Sequence, residues 1–268
     1  MLGAIIGDIA GSRFEWRNHK SKDFELFAPG CRFTDDSVMS LAIADAILEC
    51  AGDYDRLRPA AISRMQVLGN SHPRAGYGGS FVRWLQEVDP KPYNSWGNGA
   101  AMRVSACGFA GNSLEQVKVL SRKVTDVTHN HPEGLKGAEA TAVAVFLARQ
   151  GKTIAEIKDY ILENYYAIDF TLDEIREDYS FDVSCQGSVP QALEAFFEST
   201  DFEDAIRNAV SIGGDSDTIA AIAGGIAEAY YGIDENLRRR ALAFLTEDLR
   251  EIVTAFESVY PPKVIGIT

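Results

Sequence analysis

Only four cysteines occur in the 268 residues, Cys31, Cys50, Cys107 and Cys185, and no two are close enough in sequence to make a zinc-binding pair. Such scattered thiols fit a reducing, cytoplasmic setting. Long apolar runs are missing too. None approaches the ~20 residues that a membrane span requires. The apolar start, "MLGAIIGDIAG", lacks a basic flank and carries Asp8, so it does not read as a signal peptide. Positive charge is scarce. Lys and Arg number 26 against 39 Asp and Glu, a net charge of −13. An acidic surface of that size repels a phosphate backbone and argues against non-specific nucleic-acid binding, while it welcomes a cationic partner. Repeats, low-complexity tracts and linkers are also lacking, which predicts one domain over 1–268 and a monomer. Strand signals are weak, with "YSFDVS" (179–184) and "VIGI" (264–267) the only short candidates.

Helical signals, by contrast, fill the chain. The segments 37–51, 137–150 and 218–232 are apolar nearly all round, the mark of helices enclosed by others. Amphipathic patterns over 57–69, 79–88, 114–125, 153–165, 190–199, 201–210 and 235–257 supply the enclosing layer. The expectation is an all-α fold of ten or more helices around a buried central set. The small residues of "AAIAGG" (220–225) leave room for a neighbouring backbone to come close.

Two of the three buried helices begin in the same unusual way. "RFTDDSVMSLA" (32–42) and "SIGGDSDTIA" (211–220) each place Asp and Thr directly before an apolar helix. Capping is the simple explanation, since Ser, Thr and Asp are good N-caps and a first-turn carboxylate suits the helix dipole. Capping uses one side chain, however, and each cluster has three hard oxygen donors: Thr34, Asp35 and Asp36, and Asp215, Asp217 and Thr218. If the two helix mouths meet, four carboxylates share a small volume, and they cannot all stay ionised without cations. Oxygen donors without His or Cys suit Mg²⁺ or Mn²⁺, and two ions would balance the charge. Gly213 and Gly214 would permit the turn that aims both aspartates inward. Asp8 reads as a buried aspartate bonded to backbone N–H groups, and Glu15, beside Arg13, Trp16 and Arg17, as a solvated loop residue.

Three further stretches carry polar groups. In "SWGNGAAMRV" (95–104) a Gly-rich turn runs into a helix, through Ser95, Trp96, Gly97, Asn98 and Gly99. It is either a plain helix start or a cradle whose N–H groups hold a diphosphate without lysine. Trp96 is either a core residue or a stacking surface for adenine, and Asn98 a partner for a ribose hydroxyl. In "THNHPEG" (128–134), Pro132 stops any helix arriving from before it, and His129 and His131 flank Asn130 without a third zinc ligand nearby.

Taken together, "GDIAGSRFE", "FTDDS", "SWGNGAAMR", "THNHPEG" and "GGDSDTIAAIAGG" resemble the blocks of the ADP-ribosylglycohydrolase family, in that family's order; "VPQALEAFF" (189–197) matches less specifically. The resemblance implies a compact all-α fold and two Mg²⁺ or Mn²⁺ ions held by Thr34, Asp35, Asp36, Asp215, Asp217 and Thr218. It gives Glu15 a part in catalysis or in closing over the metal site, and His129 a contact to the ligand. The implied reaction is hydrolysis of the bond between the distal ribose and a modified target, a protein or a small molecule. ADP-ribosyl-arginine is the expected substrate, because the His-x-His-Pro form of "THNHPEG" looks like the arginine-cleaving branch. Glu15 and Asp36 are both candidates to move the proton. Two other readings use the same residues: a module that binds ADP-ribose without turnover, and a two-metal phosphoesterase that splits the diphosphate.

Overall fold

A computed structural model describes residues 1–263. The candidate strand at 264–267 lies outside them. The described chain is helical. In order it forms α1 (Leu2–Gly11), α2 (Asp35–Cys50), α3 (Leu57–Ser71), α4 (Gly79–Gln86), α5 (Gly99–Met102), α6 (Ser105–Ala110), α7 (Leu114–Thr125), α8 (Pro132–Arg149), α9 (Ile154–Asn164), α10 (Leu172–Ile175), α11 (Cys185–Phe197), α12 (Phe202–Ser211), α13 (Ser216–Tyr231), α14 (Glu235–Leu242) and α15 (Glu247–Val259). No sheet forms among the described residues. Segment 179–184 is an open loop whose one β-type pairing is an isolated bridge from Ser184 to Gly97.

Helices α1, α2, α8 and α13 form the buried centre, and one hydrophobic core runs from Met1 to Phe256. Every residue of α1 is buried, although its three glycines make it a poor helix on propensity alone. Its stability comes from contact with α13. Gly3, Gly7 and Gly11 recur every fourth residue and so share one face. That face lies against Gly224, Ala220 and Ser216 of α13 in antiparallel order. At the centre, a Cβ on Gly7 would stand 2.0 Å from the Ala220 carbonyl oxygen. Gly7→Ala is therefore expected to destabilise the protein by about 1–3 kcal/mol. Urea unfolding checks this, and an unchanged midpoint would mean that the two helices separate at no cost. Glu228 of α13 closes the arrangement by accepting the Gly3 N–H at 2.7 Å.

Several boundaries differ from the sequence reading. The amphipathic pattern over 235–257 is two helices, α14 and α15. The chain turns at 243–246 through N–H bonds from Phe244 to Ala241 and from Leu245 to Leu242, with no Gly or Pro to mark the break. Helix α8 starts at Pro132, which stands in its first turn, and the His131 ring caps it by accepting the Glu133 N–H at 3.1 Å. Helix α11 begins at Cys185, so Pro190 lies inside it and not at its start. No helix of the described residues is long and apolar enough to cross a membrane.

Candidate active site

The two acidic clusters meet. Asp36, in the first turn of α2, and Thr218, in the first turn of α13, are 182 positions apart in the chain. The Thr218 hydroxyl nonetheless donates to Asp36 Oδ2 at 3.1 Å. Asp8 organises the first mouth from α1. Its Oδ2 accepts the N–H groups of Thr34 (2.8 Å) and Ser37 (3.1 Å) and the Ser37 hydroxyl, and its Oδ1 accepts the Thr34 hydroxyl at 2.7 Å. A buried carboxylate thus meets the open N–H groups at the start of α2. Thr34 is also the N-cap of α2 and accepts the Asp36 N–H at 3.4 Å. Capping therefore accounts for Thr34 but leaves Asp35 and Asp36 free.

The second mouth is different. Gly213 and Gly214 have φ of 71° and 75°, in the left-handed region that glycine tolerates. This double turn delivers Asp215 to the N-cap position of α13, where its side chain caps nothing. Asp215 Oδ2 accepts instead from the Asn98 amide at 2.7 Å. Asp217 Oδ1 accepts the Thr218 N–H at 3.0 Å.

These carboxylates form two triads with a common member. Oxygens of Asp8, Asp36 and Asp217 lie within 4.8 Å of one another, and so do oxygens of Glu15, Asp215 and Asp217. All are shifted in the same direction. Burial raises Asp8 in spite of its four hydrogen bonds. Burial, and then the charges of Asp8 and Asp35, push Asp36 well above the ordinary range. Asp217 is pushed up by burial and then by Asp36, and Asp35 to about 7 by burial and then by Asp8. Asp215 is raised by burial. Half-buried Glu15 is raised by burial and then by Asp215. A divalent cation fits this donor set. Asp36 Oδ1 is buried without a hydrogen-bond partner, and the partners of Asp8, Asp36, Asp215 and Asp217 are hydroxyls, amides and backbone N–H groups, none of which neutralises an anion; Arg32 offsets part of the charge at Glu15.

The acidic floor opens into a cavity of about 690 Å³, a size that suits a nucleotide-sized ligand. Of the residues put forward as metal ligands, catalytic groups or ligand contacts, all but Thr34 line it: Glu15, Asp35, Asp36, Ser95, Trp96, Gly97, Asn98, Gly99, His129, Asp215, Asp217 and Thr218. Thr34 is buried behind Asp36 and Asp8. The Gly-rich turn does not offer all its N–H groups to a ligand. Gly97 N–H donates to Ser95 Oγ at 3.1 Å and Asn98 N–H to the Val183 carbonyl at 2.7 Å. Trp96 is not a core residue, for it stands half exposed at the mouth with its ring 5.4 Å from that of His131. Trp16 and Phe181, stacked at 5.0 Å, form another part of the rim.

Sequence reading missed part of the wall. Phe81, Tyr93, Arg103 and Val183 line the cavity as well. So do Gly76, Gly78 and Gly79 of "AGYGGS" (75–80), a Gly-rich turn before a helix much like the one at 95–99, and that likeness was the available signal.

The family model described as ADP-ribosylglycohydrolase matches residues 1–262. The human protein named ADP-ribosylhydrolase ARH3 is 26% identical, over 88% of this chain and 85% of its own length. The Pseudomonas putida protein named ADP-ribosylarginine hydrolase Tri1 is 27% identical, over 87% of this chain and 70% of its own. A solved structure titled ADP-ribosylglycohydrolase-related protein complex superposes with a TM-score of 0.68 over 97% of this chain and 95% of that one, at 24% identity, and shares the fold.

Proposed function

Because the chain belongs to the ADP-ribosylglycohydrolase family, we propose that it is a metal-dependent hydrolase that releases ADP-ribose from modified arginine, acting as one domain in the cytoplasm. The observation that carries this reading is the convergence of both Asp clusters and Glu15 on the floor of one cavity. Asp35, Asp36, Asp215 and Asp217, with the hydroxyls of Thr34 and Thr218, would hold two Mg²⁺ or Mn²⁺ ions. When bound, the ions supply charge balance and Lewis-acid polarisation of ligand oxygens.

The protein's own groups do the rest. Ser95, Asn98 and His129 present polar atoms toward the diphosphate and ribose, while Trp96 offers an exposed ring for the adenine to stack on. The transition state of glycoside hydrolysis has oxocarbenium character, so anionic side chains around the anomeric carbon stabilise it. Water forms the new C–O bond as the C–N bond to the guanidino group breaks. Glu15 or Asp36 accepts the proton from water. A guanidine leaves as a resonance-stabilised neutral base once it has been protonated, whereas a serine alkoxide is a far poorer leaving group. The net charge of −13 further favours a target in a cationic setting, over a screening length of ~8 Å.

Two matched peptides, ADP-ribosylated on arginine or on serine, test the assignment. The expected result is free ADP-ribose, with the larger kcat/KM on the arginine peptide. Equal rates, or faster release from serine, would remove the arginine assignment. AMP as product would mean cleavage of the diphosphate, and ligand binding without product would mean a binding module.

A further inference from the structure

We propose that Thr128 is a positioning residue that locks His129 as its Nε2–H tautomer, so that the imidazole meets ADP-ribose as a neutral hydrogen-bond donor and not as a base. The inference follows from counting donors and acceptors around one buried hydroxyl. Arg103 Nη2 donates to Thr128 Oγ1 at 2.6 Å and to the Val124 carbonyl at 3.1 Å. A guanidinium has no acceptor, so Thr128 Oγ1 must accept this bond. The hydroxyl hydrogen then has two places to go: His129 Nδ1 at 2.6 Å or the Thr125 carbonyl at 3.4 Å.

The second is long for an O–H···O bond. It is also occupied, because the Thr125 carbonyl already accepts the N–H groups of Thr128 (3.1 Å) and His129 (2.9 Å). The hydrogen therefore goes to Nδ1. A neutral imidazole that accepts at Nδ1 carries its proton on Nε2. The opposite tautomer would need Nδ1–H to donate to Thr128 and would push the hydroxyl hydrogen onto the saturated carbonyl.

The remainder of the surroundings keeps the ring neutral. Burial, and then the charge of Arg103, hold His129 well below its ordinary value. Arg103 itself is lowered only to about 10 and stays charged at neutral pH, helped by the carbonyls that end α7. His129 Nε2 faces the Gly-rich turn, 3.5–3.6 Å from where side chains on Gly99 and Gly97 would begin. The absence of those side chains keeps the N–H open to the cavity. A phosphate or ribose oxygen is the acceptor it suits. Only that last step depends on the ADP-ribose reading; the tautomer does not.

The test uses ¹⁵N-histidine-labelled protein and long-range ¹⁵N–¹H correlation at pH 7, with the His129 signals assigned by their loss in His129→Gln. A protonated Nε2 and an unprotonated Nδ1 in the wild type are expected. An Nδ1–H tautomer, a rapid mixture or an imidazolium would overturn the assignment without any variant having to fold. In Thr128→Val the Nδ1–H form should appear and ADP-ribose should bind about 10-fold more weakly. Thr128→Ser should restore both. A Thr128→Val variant with the wild-type tautomer would show that Thr128 does not set it. A wild type with the Nε2–H tautomer that binds no ADP-ribose supports the lock and removes the functional reading instead.

Discussion

Glu15→Gln is expected to lower turnover roughly 10²–10⁴-fold while ADP-ribose affinity changes little. The substitution keeps the shape of the side chain and removes its ability to take a proton. Glu15 is half-buried at the wall of the cavity, within 4.8 Å of Asp215 and Asp217 oxygens. Burial, and then the Asp215 charge, raise its pKa, and a carboxylate raised toward neutrality is a better base than an ordinary one. The sign of the pH effect follows. A base must be unprotonated to act, so the rate should fall as pH drops through the raised pKa of Glu15. The pH–rate profile separates the two candidates. If Glu15 is the base, Glu15→Gln loses the acid limb together with the rate. If Asp36 is the base, the limb persists in the variant. An undiminished rate would leave Glu15 as part of the cavity wall with no part in proton transfer.

How far the sequence reached depends on where each determinant lies. Helices α2 and α13 were legible because an all-round apolar pattern and an acidic opening are both local. Helix α1 is not legible as a helix. Its glycines argue against one, and what forms it is the close approach to α13, more than 200 positions away. The break between α14 and α15 was invisible because nothing at 243–246 forbids a helix. In the site, the donor set was legible as chemistry, but the meeting of its two halves was an inference that only tertiary packing could supply. Asp8 illustrates the limit. Its place in an apolar run marks a buried aspartate bonded to backbone N–H groups, and it is one. That it braces the opening of α2 could not be known before α1 was placed. Phe81 lies in α4, where an apolar residue reads as core, and Tyr93 lies in a loop, where an aromatic residue carries no pattern; Tyr93 is held there by its N–H bond to the Thr128 carbonyl.

Without divalent cations, the protein is expected to become less stable as pH rises from 5 to 8, and added Mg²⁺ or Mn²⁺ to restore it at pH 8. In the unfolded chain the site's aspartates titrate near ~3.9. In the folded protein Asp8, Asp36, Asp215 and Asp217 are all raised, and Asp35 reaches about 7. Between those values the native state binds protons that the unfolded state has released, so stability falls with rising pH. His129, held on folding well below its ordinary value by burial and then by Arg103, gives the opposite slope in this window. The comparison must therefore be made with a variant that shares it. Asp36→Asn is that variant. Its amide oxygen can still accept from Thr218, while one buried charge is gone. In EDTA at pH 8 it should melt higher than the parent and show a shallower pH slope. With cation at about a hundred times its Kd, the parent should gain ~2.7 kcal/mol, or about 5–10 °C in Tm, and the variant much less. Activity of the variant should be undetectable. A residue retained for folding alone would show the reverse pattern, a variant less stable under both conditions with activity in proportion to the folded fraction. If the parent's melting ignores both pH and cation, the buried carboxylates are not a cation site, and the proposed hydrolase loses its metal.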